Sequence, residues 1–296
     1  MTPGELSRLL DRYRVVSGKK FRLKDHDPAD TGGLKLDKAA ASQALAEGVA
    51  QLSALQERLY AQDRWSVLCL FQAMDAGGKD GTIKHVMSGV NPQGVHVTSF
   101  KAPSSAELSH DFLWRVHRAL PVRGTIGIHN RSHYEEVLIA RVHPEMLDRQ
   151  RLPRAVAGRK LWHHRLADIA AFEAYLARQG VIVLKFFLHI SKDEQKRRLL
   201  ARLDDTARNW KFNPEDVAER GRWDDYMHAY QRAIAATAAP HAPWFVVPAD
   251  SKWFARLAVC GAIVEALRAL DLALPHATQA ERAALAAARH HLETED

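Results

Sequence analysis

The chain has 296 residues, 47% of them hydrophobic, which is enough to fill the core of one large α/β domain or of two domains at most. Its two cysteines, Cys69 and Cys260, lie in apolar runs, and no apolar stretch approaches the length of a membrane span, so we expect a cytoplasmic protein without a disulfide framework or a membrane anchor. The formal net charge of +7 is compatible with a polyanionic partner, although most such excess is solvated surface.

Predicted strands and helices alternate along the chain. The predicted strands are short apolar or alternating runs, and they cover 67–71, 95–100, 125–130, 181–190 and 245–250. The predicted helices have apolar positions at helical spacing, and they cover 5–13, 38–62, a segment from Lys79, 104–120, a segment from 130–136 towards Arg141, 159–178, a segment from Ser191, and 252–270. This alternation predicts a three-layer α/β sandwich with a central parallel sheet.

Two flanking segments differ from this central pattern. Residues 1–40 are polar and predict an N-terminal arm that is irregular apart from one short helix. Residues 271–296 are rich in Ala and charge, and predict a C-terminal tail that is helical or frayed. The main domain is therefore expected over 41–270, with a lid at about 191–222.

A phosphate-binding loop is indicated where the first predicted strand ends. The apolar run 67–71 is followed by a turn containing Gly77 and Gly78, and a helical pattern begins at Lys79. Glycines let backbone N–H groups close on phosphate oxygens, the helix N-terminus adds partial positive charge, and a lysine here reaches the terminal phosphates. A glycine turn that only joins a core strand to a helix would give the same pattern.

The loop departs from the usual G-x-x-x-x-G-K-[ST] pattern at two positions. Ala73 replaces the first glycine, and Asp80 replaces the hydroxyl residue that normally contacts Mg²⁺. Asp75 and Asp80 would repel phosphates unless a cation offset their charge. The loop therefore implies Mg²⁺, for which a carboxylate is a hard oxygen ligand.

The second candidate site is the segment 130–136, N-R-S-H-Y-E-E, at the end of a predicted strand. Arg131 can pair with a phosphate through two hydrogen bonds, and Glu135 or Glu136 could bind a metal indirectly or contact the acceptor. Ser132 followed three residues later by Glu135 also matches a capping box. The pattern leaves both interpretations open, and both can hold together.

The third candidate is a basic segment, 191–212, that follows another predicted strand. Its positive residues are Lys196, Arg197, Arg198, Arg202, Arg208 and Lys211. Arginines on a lid can exclude water and stabilise charge on a transferring phosphoryl group, but acidic neighbours keep the alternative of a solvated charged helix open. Further positive residues that could line a groove for a long anion are Lys84, Lys101, Arg115, Arg118 and Arg123.

Motifs spread over roughly residues 15–270 resemble the polyphosphate kinase 2 family. They are A-M-D-A-G-G-K-D-G-T-I-K, N-R-S-H-Y-E-E-V, L-D-D-x-x-R-N-W-K-F, R-W-D-D-Y and A-P-W-F-V-V-P-A-D-S-K-W-F. The resemblance implies a P-loop kinase fold of the thymidylate-kinase type with a helical lid. It also implies Mg²⁺-dependent transfer of phosphoryl groups between inorganic polyphosphate and a nucleotide.

The resemblance also implies roles for single residues. It gives catalytic roles to Asp75, Lys79 and Arg131, with Asp75 as the metal ligand, and nucleotide contacts to Asn130 and Glu135. The implied phosphate and polyphosphate contacts are Ala76, Gly77, Gly78, Lys79, Asp80, Gly81, Lys84, Arg131, Arg198 and Arg202. Asn130 and Glu135 stand where other classes usually carry Asp and Asn. This resembles the third class of the family, whose members accept nucleoside monophosphates and diphosphates. Asn130 offers no charge, so Asp75 would carry more of the metal binding.

The expected function is reversible phosphoryl transfer from polyphosphate to AMP and ADP, with guanine nucleotides as further candidates and no role for nucleic acid. An ATP-dependent nucleoside monophosphate kinase is the nearer alternative, and Asp80 in place of Ser or Thr counts against it. A nucleic-acid-binding protein is suggested only by the basic balance. We also expect a homo-oligomer in which the helix 38–62 or the tail pairs subunits, although a helix packed on its own domain gives the same pattern.

Overall fold

A central sheet organises the part of the chain that the computed structural model describes, residues 3–207 and 209–295. Its six strands are β1 (Arg14–Val15), β2 (Ser66–Gln72), β3 (Val95–Ser99), β4 (Ile126–Asn130), β5 (Val181–His189) and β6 (Trp244–Pro248). They lie in the order β1-β6-β5-β2-β4-β3, and every pair is parallel except β1 with β6. The predicted α/β fold is confirmed, with a sheet that is mostly rather than wholly parallel.

Helices cover both faces of this sheet. In the described residues they are α1 (Pro3–Asp11), α2 (Lys38–Gln62), α3 (Lys79–Val86), α4 (Ser105–Leu108), α5 (Trp114–His117), α6 (Ile139–Val142), α7 (Leu161–Arg178), α8 (Lys192–Asp204), α9 (Glu215–Gly221), α10 (Trp223–Thr237), α11 (Lys252–Arg268) and α12 (Gln279–Glu293). Helices α2, α3 and α11 pack together on one face, and α7 and α10 lie on the other. None of the described helices combines the length and the apolar character that a membrane crossing requires.

The N-terminal segment is more ordered than the irregular arm predicted for residues 1–40. Strand β1 pairs antiparallel with β6 and so covers its free edge. Tyr13 packs edge-on against Phe254 of α11, with 5.4 Å between the ring centroids. A two-residue strand whose partner lies near the other end of the chain leaves no periodic pattern, so the sequence alone does not predict it.

Two predicted helices are wrong in length. The segment 104–120 forms α4 and α5 rather than one helix, because the Asp111 carboxylate accepts the N–H of Leu113 at 2.9 Å and starts a new turn. The segment after β4 forms a 3-10 helix over His133–Glu136 and then the short helix α6. Pro144, two residues beyond α6, cannot continue that helix.

The two faces of the sheet differ in composition. On the face under α2 and α11, the rings of Phe71, Phe186 and Phe245 stack across β2, β5 and β6, with centroids 5.0 and 5.4 Å apart. We call this the stacked face. The opposite face, under α7 and α10, carries every buried polar side chain of the described strands, and we call it the polar face. These polar residues are Ser66, Gln72, His129, Lys185 and His189.

The C-terminal tail ends in an exposed helix. Leu272, just beyond α11, still packs into the core, whereas all residues of α12 are exposed. Helix α12 begins with a capping box in which Thr278 accepts from the Glu281 N–H and Glu281 accepts from the Thr278 N–H. The tail predicted from the sequence as helical or frayed is therefore helical over α12.

Candidate active site

The predicted phosphate loop lies at the carboxyl end of the central strand β2. The Gly77 N–H donates to the Met74 carbonyl at 3.0 Å, and a Cβ on Gly77 would lie only 2.7 Å from the Cβ of Ala73. Gly78 has a φ of +96°, in the left-handed region that glycine tolerates, and α3 begins at the next residue, Lys79. Both glycines are thus required by the turn, and the turn places the free N–H groups of a helix start at this edge of the sheet.

Two side chains of α8 hold the backbone of this loop. Gln195 Nε2 donates to the Asp75 carbonyl at 3.0 Å, and Arg198 Nη1 donates to the Ala76 carbonyl at 3.2 Å. Arg198 is buried, and its Nη2 also donates to the Ala249 carbonyl at 2.5 Å beyond β6. This geometry gives Arg198 a bracing role beneath the loop, and its direct contact with polyphosphate stays a prediction.

Lys79 lies among carboxylates at the start of α3. Its Nζ donates to the Ala73 carbonyl at 2.8 Å. Burial lowers the pKa of Lys79, and the negative charges of Asp75, Glu135 and Asp80 oppose that change. The ammonium group is thus within electrostatic range of three acidic side chains, Asp75 in the loop, Asp80 in α3 and Glu135 in the 3-10 helix.

Oxygen donors cluster beside this lysine. Asn130, the last residue of β4, donates through Nδ2 to Asp80 Oδ1 at 2.7 Å, and the Asp75 side chain is 33% exposed. The described residues contain no cluster of three His, Cys, Asp or Glu that could hold a metal alone. Mg²⁺, however, is usually held by one or two carboxylates together with substrate phosphates and water. The two carboxylates and the Asn130 amide oxygen are the donor set that this kind of site requires.

Arg131 occupies a strained backbone position directly after β4. Its φ is +64°, which costs a non-glycine residue about 1 to 2 kcal/mol, and its N–H donates to the Phe71 carbonyl at 3.1 Å. Its Nη2 lies 3.6 Å from Asp75 Oδ1, and its side chain is 43% exposed. Burial works against the charge of Arg131, but Glu135 and Asp75 raise its pKa overall. The strained backbone holds an accessible guanidinium beside the loop, as is common at functional sites.

Glu135 completes this group from the 3-10 helix. Burial raises its pKa, and the charges of Arg131 and Lys79 oppose the rise. Burial also raises the pKa of Tyr230 on α10, and the charge of Glu135 adds to that rise. The pKa of Tyr226 on the same helix is also raised, mainly by burial and by a hydrogen bond to Glu219, and the charge of Glu135 adds to the rise. Helix α10 therefore carries two tyrosines within electrostatic range of Glu135, and the sequence marks only Tyr226, within R-W-D-D-Y, without indicating a role.

The predicted lid forms α8 and α9 and lies close to the loop. Arg202 Nη1 lies 3.3 Å from Asp216 Oδ2 on α9, and Arg220 Nη1 donates to Gln195 Oε1 at 3.0 Å. Burial raises the pKa of Asp216, and the charge of Asp75 adds to the rise. The lid arginine Arg202 is thus held near the loop by an acidic partner.

The other residues predicted to bind phosphate have no contact that relates them to the loop in the described part of the chain. Lys84 is exposed on α3, and Gly81 lies in the first turn of the same helix. Arg208 and the side chain of Lys211 lie outside the described residues. None of these positions is tested by the contacts within the chain, so their roles in phosphate binding stay predictions.

Three of the basic residues between the first and third predicted strands line one cavity, and Arg123 lies apart from it. Arg123 donates to the Arg64 carbonyl at 2.7 Å, at the amino edge of the sheet, opposite the loop. Arg115 is buried and lies 3.5 Å from Glu136. Lys101, Arg115 and Arg118 line a cavity of about 520 Å³ at the carboxyl end of β3. Only part of the predicted groove is therefore on the side of the loop.

Comparison with known proteins identifies what this arrangement is similar to. The family model described as polyphosphate kinase 2 matches residues 35–274. An ADP-polyphosphate phosphotransferase of Rhodopseudomonas palustris is 47% identical over 94% of this chain and 99% of its own length. An AMP/ADP-polyphosphate phosphotransferase of Meiothermus ruber is 45% identical over 90% of this chain and 96% of its own length.

A solved structure agrees with these sequence relatives. The crystal structure of polyphosphate kinase 2 from Arthrobacter aurescens superposes with a TM-score of 0.84 at 43% sequence identity. The match covers 97% of this chain and 97% of the other. The similarity therefore includes the loop, the second motif and the lid rather than the sheet alone.

Proposed function

The chain belongs to the polyphosphate kinase 2 family, and we propose that it transfers phosphoryl groups from inorganic polyphosphate to AMP and ADP. The proposal is carried by the convergence of Asp75, Lys79, Arg131 and Glu135 at the carboxyl ends of β2 and β4. The names of the Rhodopseudomonas and Meiothermus relatives support both the donor and the acceptors. Guanine nucleotides are further candidate acceptors.

The charged groups can promote transfer without covalent chemistry by the protein. Phosphoryl transfer depends mainly on holding two anions in line and stabilising the charge of the transferring group. Lys79 and the N–H groups at the start of α3 hold phosphates at the reaction centre, and Arg131 pairs with phosphate oxygens. The attacking phosphate oxygen of AMP or ADP is already ionised, so the site needs no strong general base. Either acceptor gains one phosphoanhydride bond as one is broken, so we expect the reaction to be reversible.

We assign Mg²⁺ to the oxygen donors beside the loop. Asp75 would hold the ion, with the neutral amide oxygen of Asn130 and the carboxylate of Asp80 close by. When bound, the ion would neutralise phosphate charge that these carboxylates otherwise repel. Chelation of divalent cations should therefore remove activity, and Mg²⁺ should restore it.

The lid arginine Arg202 and the two side chains that hold the loop, Arg198 and Gln195, support the reaction centre in different ways. Arg202, held by Asp216, is the lid arginine that we propose to contact polyphosphate when the lid closes. Arg198 and Gln195 act through the loop carbonyls that they hold. The cytoplasmic location and the homo-oligomeric state expected from the sequence stay predictions.

An ATP-dependent nucleoside monophosphate kinase would use the same loop. Such kinases usually carry a hydroxyl residue after the loop lysine, whereas Asp80 here accepts a hydrogen bond from Asn130. The observation favours polyphosphate as the donor. Nucleic-acid binding is favoured by no contact in the site, and a competition between duplex DNA and polyphosphate would test it.

The donor can be identified with purified protein, Mg²⁺ and one donor at a time. We expect ADP and ATP to form from AMP when polyphosphate is the donor, and no comparable product when ATP is supplied with GMP or dTMP. Formation of GDP or dTDP with ATP as the sole donor would favour the monophosphate kinase. Asp75→Ala serves as the site control: a variant as active as wild type would remove the role assigned to Asp75.

A further inference from the structure

A group of buried polar side chains lies directly beneath the second motif, on the polar face of the sheet. Its members are Gln72, Ser132, Tyr134, Glu173, Lys185 and Thr237, and we call them the buried polar cluster. Each is no more than 2% exposed. They come from β2, the segment after β4, α7, β5 and α10, so the cluster joins five parts of the chain.

The lower half of the cluster is an ion pair with a hydroxyl attached. Lys185 Nζ donates to Glu173 Oε2 at 2.5 Å and to the Thr237 carbonyl at 2.7 Å. The Tyr134 hydroxyl donates to Glu173 Oε1 at 2.7 Å and lies 2.8 Å from Thr237 Oγ1. Burial alone would raise the pKa of Glu173, but the Lys185 ammonium holds it below its ordinary value. The Tyr134 ring is thus fixed by a charged partner.

The upper half of the cluster reaches the reaction centre. The backbone N–H of Tyr134 and the Nε2 of Gln72 both donate to Ser132 Oγ, at 3.2 and 3.0 Å. The Glu135 N–H donates to the Ser132 carbonyl at 3.1 Å. Glu135 follows Tyr134 directly in the chain. The cluster therefore holds, through Tyr134 and Ser132, the backbone from which the Glu135 side chain extends.

Stability does not explain why this cluster is charged. A buried ion pair pays a large desolvation cost, and apolar residues of similar volume often hold a core equally well. The stacked face of the same sheet is held by apolar packing at its three central rings. Hydrogen bonds add a fixed geometry, because each one sets the orientation of the side chains that it joins as well as keeping them buried.

We propose that the buried polar cluster positions Glu135, with Tyr134 and Gln72 as positioning residues that set the relative use of AMP and ADP. The inference rests on the proposed function and on the nucleotide contact that the family resemblance implies for Glu135. AMP and ADP differ by one phosphate, so they place their nucleosides at different distances from the same reaction centre. A displaced Glu135 therefore affects the two acceptors unequally, while the polyphosphate contacts of the loop stay in place.

The test compares Tyr134→Phe with Phe245→Leu. Tyr134→Phe keeps the ring and removes the hydroxyl, whereas Phe245→Leu removes packing on the stacked face, away from the cluster. For each protein, kcat and KM are measured with AMP and with ADP, the KM for polyphosphate is measured, and thermal unfolding is recorded. We expect Tyr134→Phe to change the AMP-to-ADP ratio of kcat/KM by about tenfold, as the loss of one hydrogen bond to a charged group allows. Its KM for polyphosphate should stay within about twofold of wild type, and Phe245→Leu should lower Tm without changing the ratio.

Each outcome decides between positioning and a merely structural role. A loss of folded protein lowers kcat for both acceptors equally, so an unchanged ratio in Tyr134→Phe would overturn the inference. If Tyr134→Phe shows no cooperative unfolding, Gln72→Met, which removes the donor to Ser132 at similar volume, is judged by the same ratio. Wild-type protein that makes no nucleotide from polyphosphate would instead overturn the proposed function, so the two failures are distinguishable.

Discussion

On the stacked face, Phe71, Phe186 and Phe245 pack ring against ring, whereas the polar face buries Lys185 with Glu173. Both faces belong to the same strands and are covered by helices of similar kind. Apolar packing tolerates small shifts, because burial has no preferred direction. Charged hydrogen bonds tolerate them poorly, because an unpaired buried charge is costly. The difference indicates that the polar face holds the second motif in place and the stacked face mainly holds the sheet together.

The largest expected effect comes from breaking the ion pair. Lys185→Met leaves Glu173 buried without its cation, and we expect a loss of about 3 to 5 kcal/mol in the free energy of unfolding. Urea unfolding monitored by circular dichroism measures this change.

The double variant Lys185→Met/Glu173→Leu is the control for this prediction. Removing both charges removes the uncompensated carboxylate, so we expect the double variant to recover at least half of the lost stability. A double variant less stable than Lys185→Met would show that the pair itself, rather than an orphaned charge, stabilises the fold.

An intermediate effect is expected for His129, which also lies on the polar face. Burial lowers its pKa to about 4, although its Nε2 is hydrogen-bonded to the Ala119 carbonyl. An unfolded histidine titrates near pH 6.5, so the unfolded chain binds more protons and stability falls as pH drops from about 6.5 towards 4. When the pH is lowered from 7.5 to 5, the free energy of unfolding of His129→Gln should fall by about 2 kcal/mol less than that of wild type. Urea titrations at both pH values measure this difference. The same fall in the free energy of unfolding for wild type and for His129→Gln would contradict the assignment.

The smallest effect is expected on the stacked face. Phe186→Leu removes one ring from the row and leaves no polar group unpaired, so we expect a loss of about 1 to 2 kcal/mol. The loss should be the same at pH 7.5 and pH 5, because no titrating group is disturbed. A pH-dependent loss, measured by the same unfolding titrations, would remove the distinction between the faces.

The sequence predicts those parts of the molecule whose pattern is local. Val67–Phe71 followed by Gly77, Gly78 and Lys79 predicts a strand, a turn and a helix, and the structure has all three. The break at Asp111 is local too, but one side-chain hydrogen bond competes with a pattern that is otherwise helical.

Long-range contacts are the part that the sequence does not predict. Arg198 looks like a lid residue from its basic neighbours, but the loop carbonyl that it contacts is 122 positions away. The members of the buried polar cluster are separated by 39 positions between Tyr134 and Glu173, and by 103 between Tyr134 and Thr237. No periodicity within one element marks such partners, because the fold alone brings them together.

The central claim is that Lys79 and its acidic neighbours transfer phosphoryl groups from polyphosphate. Phosphorus-31 NMR of polyphosphate, AMP and Mg²⁺ with wild-type protein and with Lys79→Met tests it most directly. With wild type, we expect polyphosphate to shorten while the β- and γ-phosphate signals of ADP and ATP appear. The phosphate lost from polyphosphate should equal the phosphate gained by the nucleotides. We expect Lys79→Met to be slower by about 10² to 10³, because a positive group at the reaction centre is lost. Nucleotide phosphates that appear without consumption of polyphosphate, or a Lys79→Met variant as fast as wild type, would contradict the claim.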